Sequence, residues 1–354
     1  MNERKFTIWM VVIIIVAPAL LIFINIAVGA HGLRAPGGIM DADRPLYSRM
    51  YLTPNYSGYF SRFNFYKGWS TVKYSTNSRG FRTPEFSSDR DIILFSGDSS
   101  LFGLKLNDDE TVSSLLEGMF DNRYHFVNAG VMGKGIPHNL LTLKNFVELS
   151  KKENFKLRYF VNWVIEGDFE FAGSIEEVEK KAVKKNLSLK HRLMVQFPTL
   201  TAFATSLRYP GRLSYTRKLF KSYVVEEKNY QFEPNSRRKI GEMVVDGRFE
   251  RSLAYFREMQ KICQDNEITL VNFISLSGYD DLVNRNSYSD QLESILIEKG
   301  ARTVIKAKDI FLSRGDGFLP YIATRGNDFW HFSSVAFQAI AQVLYDHLRS
   351  DGLE

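Results

Sequence analysis

One serine stands where chemistry is easy to arrange. The stretch IILFSGDSSLFG (92–103) is a short apolar run that stops abruptly at Gly97-Asp98-Ser99. A serine hydroxyl attacks a carbonyl only when a base takes its proton, and the base needs an acceptor to hold its tautomer. Asp328 and His331 stand three residues apart, just ahead of the last helical pattern. That spacing lets the carboxylate meet one ring nitrogen and leaves the other for Ser99. The oxyanion formed on attack needs donors aimed at it beforehand. The backbone N–H of Ser99 is one candidate. That of Gly130, which ends Asn128-Ala129-Gly130, is a second. Taken alone, Gly-Asp-Ser reads as a turn, with Asp98 as its hydrogen-bonded support and His331 as a surface or cap histidine.

Other groups rank below these. His138, in GKGIPHN, is expected on the loop after the glycine-containing segment, where it would line a site. Asp309 and Asp316 are spare carboxylates, outranked by Asp328 only through its spacing to His331. Tyr321, Arg325 and Trp330 are candidates for a pocket rim. His31, His125, His191 and His347 show no ligand spacing, so neither metal nor cofactor is expected.

These groups need a frame. From about Asp91, short apolar runs alternate with amphipathic ones. DIILFSG, YHFVNAG, LRYFVNWVI and ITLVNFISLS read as strands, and RTVIKAKDIF as a weaker one. ETVSSLLEGMF, LLTLKNFVELSKK, FERSLAYFREMQKICQDNE, SDQLESILIEKG and SSVAFQAIAQVLYDHLRS read as helices. Such alternation implies βαβ units and a mainly parallel sheet, in which sites form at the carboxyl ends of strands. Gly97-Asp98-Ser99, Asn128-Ala129-Gly130 and Glu166-Gly167-Asp168 all fall at strand ends. Residues 169–245 are basic, aromatic and poorly periodic as strands, so a helical insertion is expected there. The reading is one α/β domain, 91–350, split by that insertion. Residues 29–90, rich in Gly, Pro, Tyr and Arg, are expected to form a stalk and lead-in, with a strand or hairpin around Trp69–Tyr74.

The 354 residues are 44% hydrophobic, ample for a core, and carry a net charge of +6. The densest basic run, Lys180–Lys185 (KKAVKK), lacks the aromatic interleaving of a nucleic-acid site, so no nucleic-acid partner is expected. Cys263 is the single cysteine and excludes an internal disulfide. Residues 8–28 (IWMVVIIIVAPALLIFINIAV) hold no charge. About 20 apolar residues suffice to span a bilayer core. Arg4 and Lys5 precede the run, which leaves residues 1–7 in the cytoplasm and sends the rest outside, periplasmic or extracellular. A cleaved signal peptide is the alternative, with Val28-Gly29-Ala30 a tolerable cleavage site. The apolar run exceeds the roughly 7–15 residues usual in signal peptides, which favours an uncleaved anchor.

Together the pieces resemble the SGNH/GDSL hydrolase superfamily. The matching blocks are GDSSLFG (97–103), NAGVMGKG (128–135) and DFWHFSSVAFQAIA (328–341). NSRGFRTPEF (77–86) resembles the lead-in of membrane-anchored members. Order and placement agree along about 75–350, the insertion excepted. The resemblance implies a flavodoxin-like three-layer α/β/α sandwich and a Ser-His-Asp triad. In it Ser99 is the nucleophile, His331 the base, Asp328 its orienting partner and Gly130 an oxyanion donor. It also implies a membrane-anchored serine esterase or O-acyltransferase acting on acyl, often acetyl, groups of envelope glycans. One block departs. The family carries Gly-x-Asn-Asp, whose asparagine donates to the oxyanion, whereas VIEGDFE here either puts Gly167 in its place or drops the asparagine before Asp168. Losing such a donor costs about 3–4 kcal/mol of transition-state stabilisation, and Asn162 lies too far back in the strand to replace it. A second reading therefore stays open. In it the chain is a catalytically weak accessory subunit that binds glycan or docks on a membrane-embedded acyltransferase or polysaccharide synthase.

Overall fold

The computed structural model describes residues 52, 54–64, 68–104, 106–165, 168–169, 247–276, 287–314 and 332–353. The expected membrane run 8–28 and the expected insertion beyond residue 169 lie outside them. Among the described residues no helix is long and apolar enough to cross a membrane.

The chain divides into two compact units. The smaller comprises 1–39, 58–71 and 186–233. Its described residues are most of a two-stranded sheet, β1 (Ser57–Asn64) and β2 (Gly68–Ser75). The larger comprises 40–57, 72–185 and 234–354. There the order is β3 (Ile92–Ser96), α1 (Ser99–Phe102), α2 (Val112–Met119), β4 (His125–Asn128), α3 (Ile136–Glu153), β5 (Leu157–Val164), α4 (Gly247–Asp265), β6 (Thr269–Ile274), α5 (Tyr288–Glu298), β7 (Val304–Lys306), α6 (Ala307–Ser313) and α7 (Ser334–Ser350).

The strands β3 to β7 form one parallel sheet in the order β4-β3-β5-β6-β7. Counted from β3 as the first, this is 2-1-3-4-5, the doubly wound order of flavodoxin-like folds. The order reverses between β3 and β5, and ligand crevices form at that switch point. Parallel strands covered on both faces need near-continuous apolar runs, which LRYFVNWV and IILFS supply. Alternate residues serve opposite faces. Ile93, Phe95, Val161 and Trp163 pack with Leu116 of α2, Phe311 of α6 and Phe337, Ile340 and Leu344 of α7. Ile92, Leu94, Phe160 and Val164 pack with Leu140 and Leu143 of α3, Leu253 of α4 and Leu292 of α5. The result is helix, sheet, helix.

Three local readings differ from expectation. RTVIKAKDIF is strand only over Val304–Lys306, because Ala307, Ile310 and Phe311 recur at helical spacing and are buried in α6. The helix after the glycine-containing segment begins already at Ile136, with Pro137 in its first turn, a position for which proline is pre-shaped. Residues 72–90, expected in the stalk, belong to the larger unit. There the Arg82 N–H donates to the carbonyl of Asn128 (3.2 Å) and the Thr83 hydroxyl to that of Phe126 (3.0 Å). The lead-in thus covers β4, an edge strand whose backbone groups would otherwise lack partners.

Candidate active site

β3 delivers Gly97-Asp98-Ser99 to the carboxyl end of the sheet, beside the switch point. Asp98 caps α1, its Oδ1 accepting from the Ser100 N–H (2.8 Å) and the Ser100 hydroxyl (2.6 Å). A cap of this kind satisfies an otherwise orphaned donor of the first turn. Ser99 is the first residue of α1 and is half-buried. Gly97 is required by space. A Cβ there would lie 2.9 Å from both Cβ and the carbonyl oxygen of Trp163. The Trp163 ring stacks on Phe273 at 3.9 Å, and its indole N–H donates to Ser100 Oγ (2.9 Å).

The far end of α1 is held as firmly. Asn128 Nδ2 donates to the carbonyl of Leu101 (3.2 Å). Arg82 is buried and gives Nη1 to the carbonyls of Phe102 (2.6 Å) and Gly103 (2.8 Å), and Nη2 to that of Leu106 (2.5 Å). Its Nε meets Asp108 Oδ1 at 3.0 Å. The guanidinium lies over the rings of Tyr74 (4.5 Å) and Phe102 (4.6 Å). Burial opposes its charge and pulls its pKa down, against Asp108, which supports it. Sequence reasoning missed Arg82. The one available signal was its place in NSRGFRTPEF, which by itself assigns no role.

The oxyanion candidates are differently placed. The Gly130 N–H is given to Asn128 Oδ1 (2.9 Å). The glycine is needed because a Cβ would sit 2.6 Å from the Phe102 nitrogen. Gly167 lies outside the described residues. Asp168 is buried, and its Oδ2 accepts from the Ile165 N–H (2.9 Å). It abuts the start of α3, where a Cβ on Gly135 would be 3.3 Å from its Oδ1. Burial, then the charge of Asp98, raises the Asp168 pKa well above the usual carboxylate range. Asn162 accepts from Asn139 Nδ2 (2.8 Å) and donates to Asn272 Oδ1 (3.1 Å), so it is committed within the sheet.

His138 stands on α3, buried, with Nε2 3.4 Å from Thr142 Oγ1. Burial, then the charge of Lys134, pushes its pKa down to about 3, so the ring is neutral. Asp328, Trp330 and His331, with Tyr321 and Arg325, lie outside the described residues. The residue after His331 is described. Phe332 is buried, 5.4 Å from Phe311 and 6.1 Å from Phe337 between ring centroids. Phe337 in turn lies 6.2 Å from Trp163. The start of α7 thus connects through Phe337 and Trp163 to Ser100, the neighbour of Ser99.

The sheet order and the serine turn define a doubly wound α/β protein with a hydroxyl at its switch point. No family model and no curated protein matches the sequence. A comparison of structures does find similar solved proteins. A lipolytic protein of the G-D-S-L family from Desulfitobacterium hafniense is 11% identical, with a TM-score of 0.37, over 73% of this chain and 99% of its own. The esterase EstA from Pseudoalteromonas sp. is 12% identical, with a TM-score of 0.37, over 73% of this chain and 97% of its own. An acetyl xylan esterase from the rumen bacterium Butyrivibrio proteoclasticus is 11% identical, with a TM-score of 0.34, over 80% of this chain and 68% of its own.

Proposed function

We propose that the chain is an SGNH-type serine esterase or O-acyltransferase. In this reading it is anchored by residues 8–28 and works outside the cytoplasmic membrane on O-acyl groups of envelope glycans. The observation that carries the reading is Ser99, half-buried on the first turn of α1 at the switch point, in a turn held at both ends. Ser99 Oγ attacks the acyl carbonyl while His331 takes its proton and Asp328 steadies the imidazolium. His331 then protonates the departing alkoxide. The acyl group on Ser99 passes to water or to a sugar hydroxyl. The packing of Phe332 through Phe337 to Trp163 supports this, because it ties the sequence next to His331 to the serine turn.

The test uses full-length protein in detergent, with a serine-reactive phosphonate, a chromogenic acetyl ester and an acetylated glycan. Wild type is expected to be labelled at Ser99 and to turn over the ester, and Ser99→Ala and His331→Ala to do neither. A wild type that is neither labelled nor active removes the enzyme reading. Acetyl transfer to added glycan, against acetate release, separates transferase from hydrolase.

The second reading, an accessory subunit, is favoured by a specific observation. The Gly130 N–H and the Asn162 amide are bonded to other groups, so neither is directed at an oxyanion. A Ser99→Ala variant that complements a deletion and co-purifies with a membrane acyltransferase or polysaccharide synthase supports it. Loss of complementation overturns it.

A further inference from the structure

We propose that Arg82 is the positioning residue of the serine turn, setting where Ser99 points. This rests on the esterase reading above. α1 has four residues, Ser99–Phe102, and a helix so short has no stability of its own. Its direction is therefore imposed from outside. At the first turn the contacts come from Asp98 and Trp163, both near in space to the strand ends. At the last turn the chain closes through Gly103 in the left-handed region (φ 76), a conformation that costs glycine nothing. The carbonyls released there need donors. Arg82 supplies them to Phe102 and Gly103 from Nη1 and to Leu106 from Nη2, while Nε is taken by Asp108.

The donor set is what makes this arginine specific. Three carbonyls and one carboxylate are met by one rigid plane, which lies over the rings of Tyr74 and Phe102. Asp108 is itself fixed, accepting from the Ser75 N–H (3.2 Å) and the Ser75 hydroxyl (2.5 Å). A lysine carries the charge but a single nitrogen, and cannot reproduce the fork. Arg82 touches none of the reacting groups. It acts through the backbone of α1.

The experiment compares wild type, Arg82→Lys and Arg82→Ala as full-length protein. It reads kcat and KM for the acetyl ester, the rate of phosphonate labelling at Ser99, and amide exchange across 97–106. Arg82→Lys is expected to keep KM within a few-fold while kcat and labelling fall about a hundredfold, the cost of roughly 1 Å of misplacement. Its 97–106 amides should exchange faster, with the rest of the sheet protected as in wild type. Guanidinium at millimolar concentration is expected to restore part of the labelling of Arg82→Ala, and urea at the same concentration none of it. Wild-type labelling and exchange in Arg82→Lys overturn the proposal. If Arg82→Lys loses protection throughout, the guanidinium arm decides, and no recovery there overturns it too. A wild type that is not labelled at all fails at the esterase reading instead, and the positioning role falls with it.

Discussion

At the scale of single residues the serine turn is crowded rather than open. Gly130→Ala puts a methyl 2.6 Å from the Phe102 nitrogen and 3.0 Å from Asn128 Oδ1, both poorly able to move. Overpacking of this kind costs about 1–3 kcal/mol, so a urea titration should show the variant less stable by that amount, and an unchanged midpoint would refute the close packing. Asp168 makes a prediction about pH. Burial and Asp98 raise its native pKa above the unfolded value, which is near 4. The native state then binds more protons, and stability falls as pH rises above about 4. Asp168→Asn removes that fall. Its urea midpoint relative to wild type is expected to climb with pH, and a difference that stays flat from pH 4 to 8 would mean that the native carboxyl titrates normally.

Between elements, buried amides cross the sheet. Ser96 Oγ donates to Asn139 Oδ1 (2.9 Å), Asn139 Nδ2 to Asn162 Oδ1 (2.8 Å), and Asn162 Nδ2 to Asn272 Oδ1 (3.1 Å). This row joins β3, α3, β5 and β6 just behind the strand ends that carry the candidate site. Each buried polar group left without its partner costs about 1–3 kcal/mol. Asn162→Ala takes the donor from Asn272 Oδ1 and leaves Asn139 Nδ2 only the Trp163 carbonyl (3.3 Å), so a urea titration should show a loss of about 1–3 kcal/mol, and an unchanged midpoint would refute a continuous row. The same row commits Asn162 to partners within the sheet.

For the whole molecule, the far side of the sheet is closed by charge. Lys306 Nζ meets Asp290 Oδ1 (2.8 Å) and Glu293 Oε2 (2.6 Å), and Lys308 Nζ meets Asp290 Oδ2 (2.5 Å). These pairs join α5 to β7 and α6. Burial works against the Asp290 charge, but hydrogen bonds from Lys306, Lys308 and Ser287 outweigh it and hold its pKa well below the carboxylate range. Its contribution to stability is therefore complete above the unfolded pKa, near 4, and is lost as pH falls through the native one. Asp290→Asn is expected to lower the urea midpoint at pH 7 and to approach wild type below pH 4. A deficit that persists undiminished in acid would show that packing, not charge, is responsible.

Element type and order were legible in the chain because hydrophobic periodicity is a local property. Alternation of apolar runs and amphipathic patterns led to a parallel sheet, and the runs ending in glycine marked the strand ends. Ser99 at the rim followed from the same pattern. The misread pieces, Ala307–Phe311 as strand and His138 as a loop residue, sit where short segments carry both signals. What only the tertiary structure decided is the partner of each buried polar group. Gly97 is glycine because Trp163 approaches it, and the Gly130 N–H faces Asn128 Oδ1. Arg82 grips carbonyls twenty and more residues away, at Phe102, Gly103 and Leu106. No spacing announces such pairings. They arise when burial strips water from donors and acceptors, and each must then find whatever the packing has brought within reach.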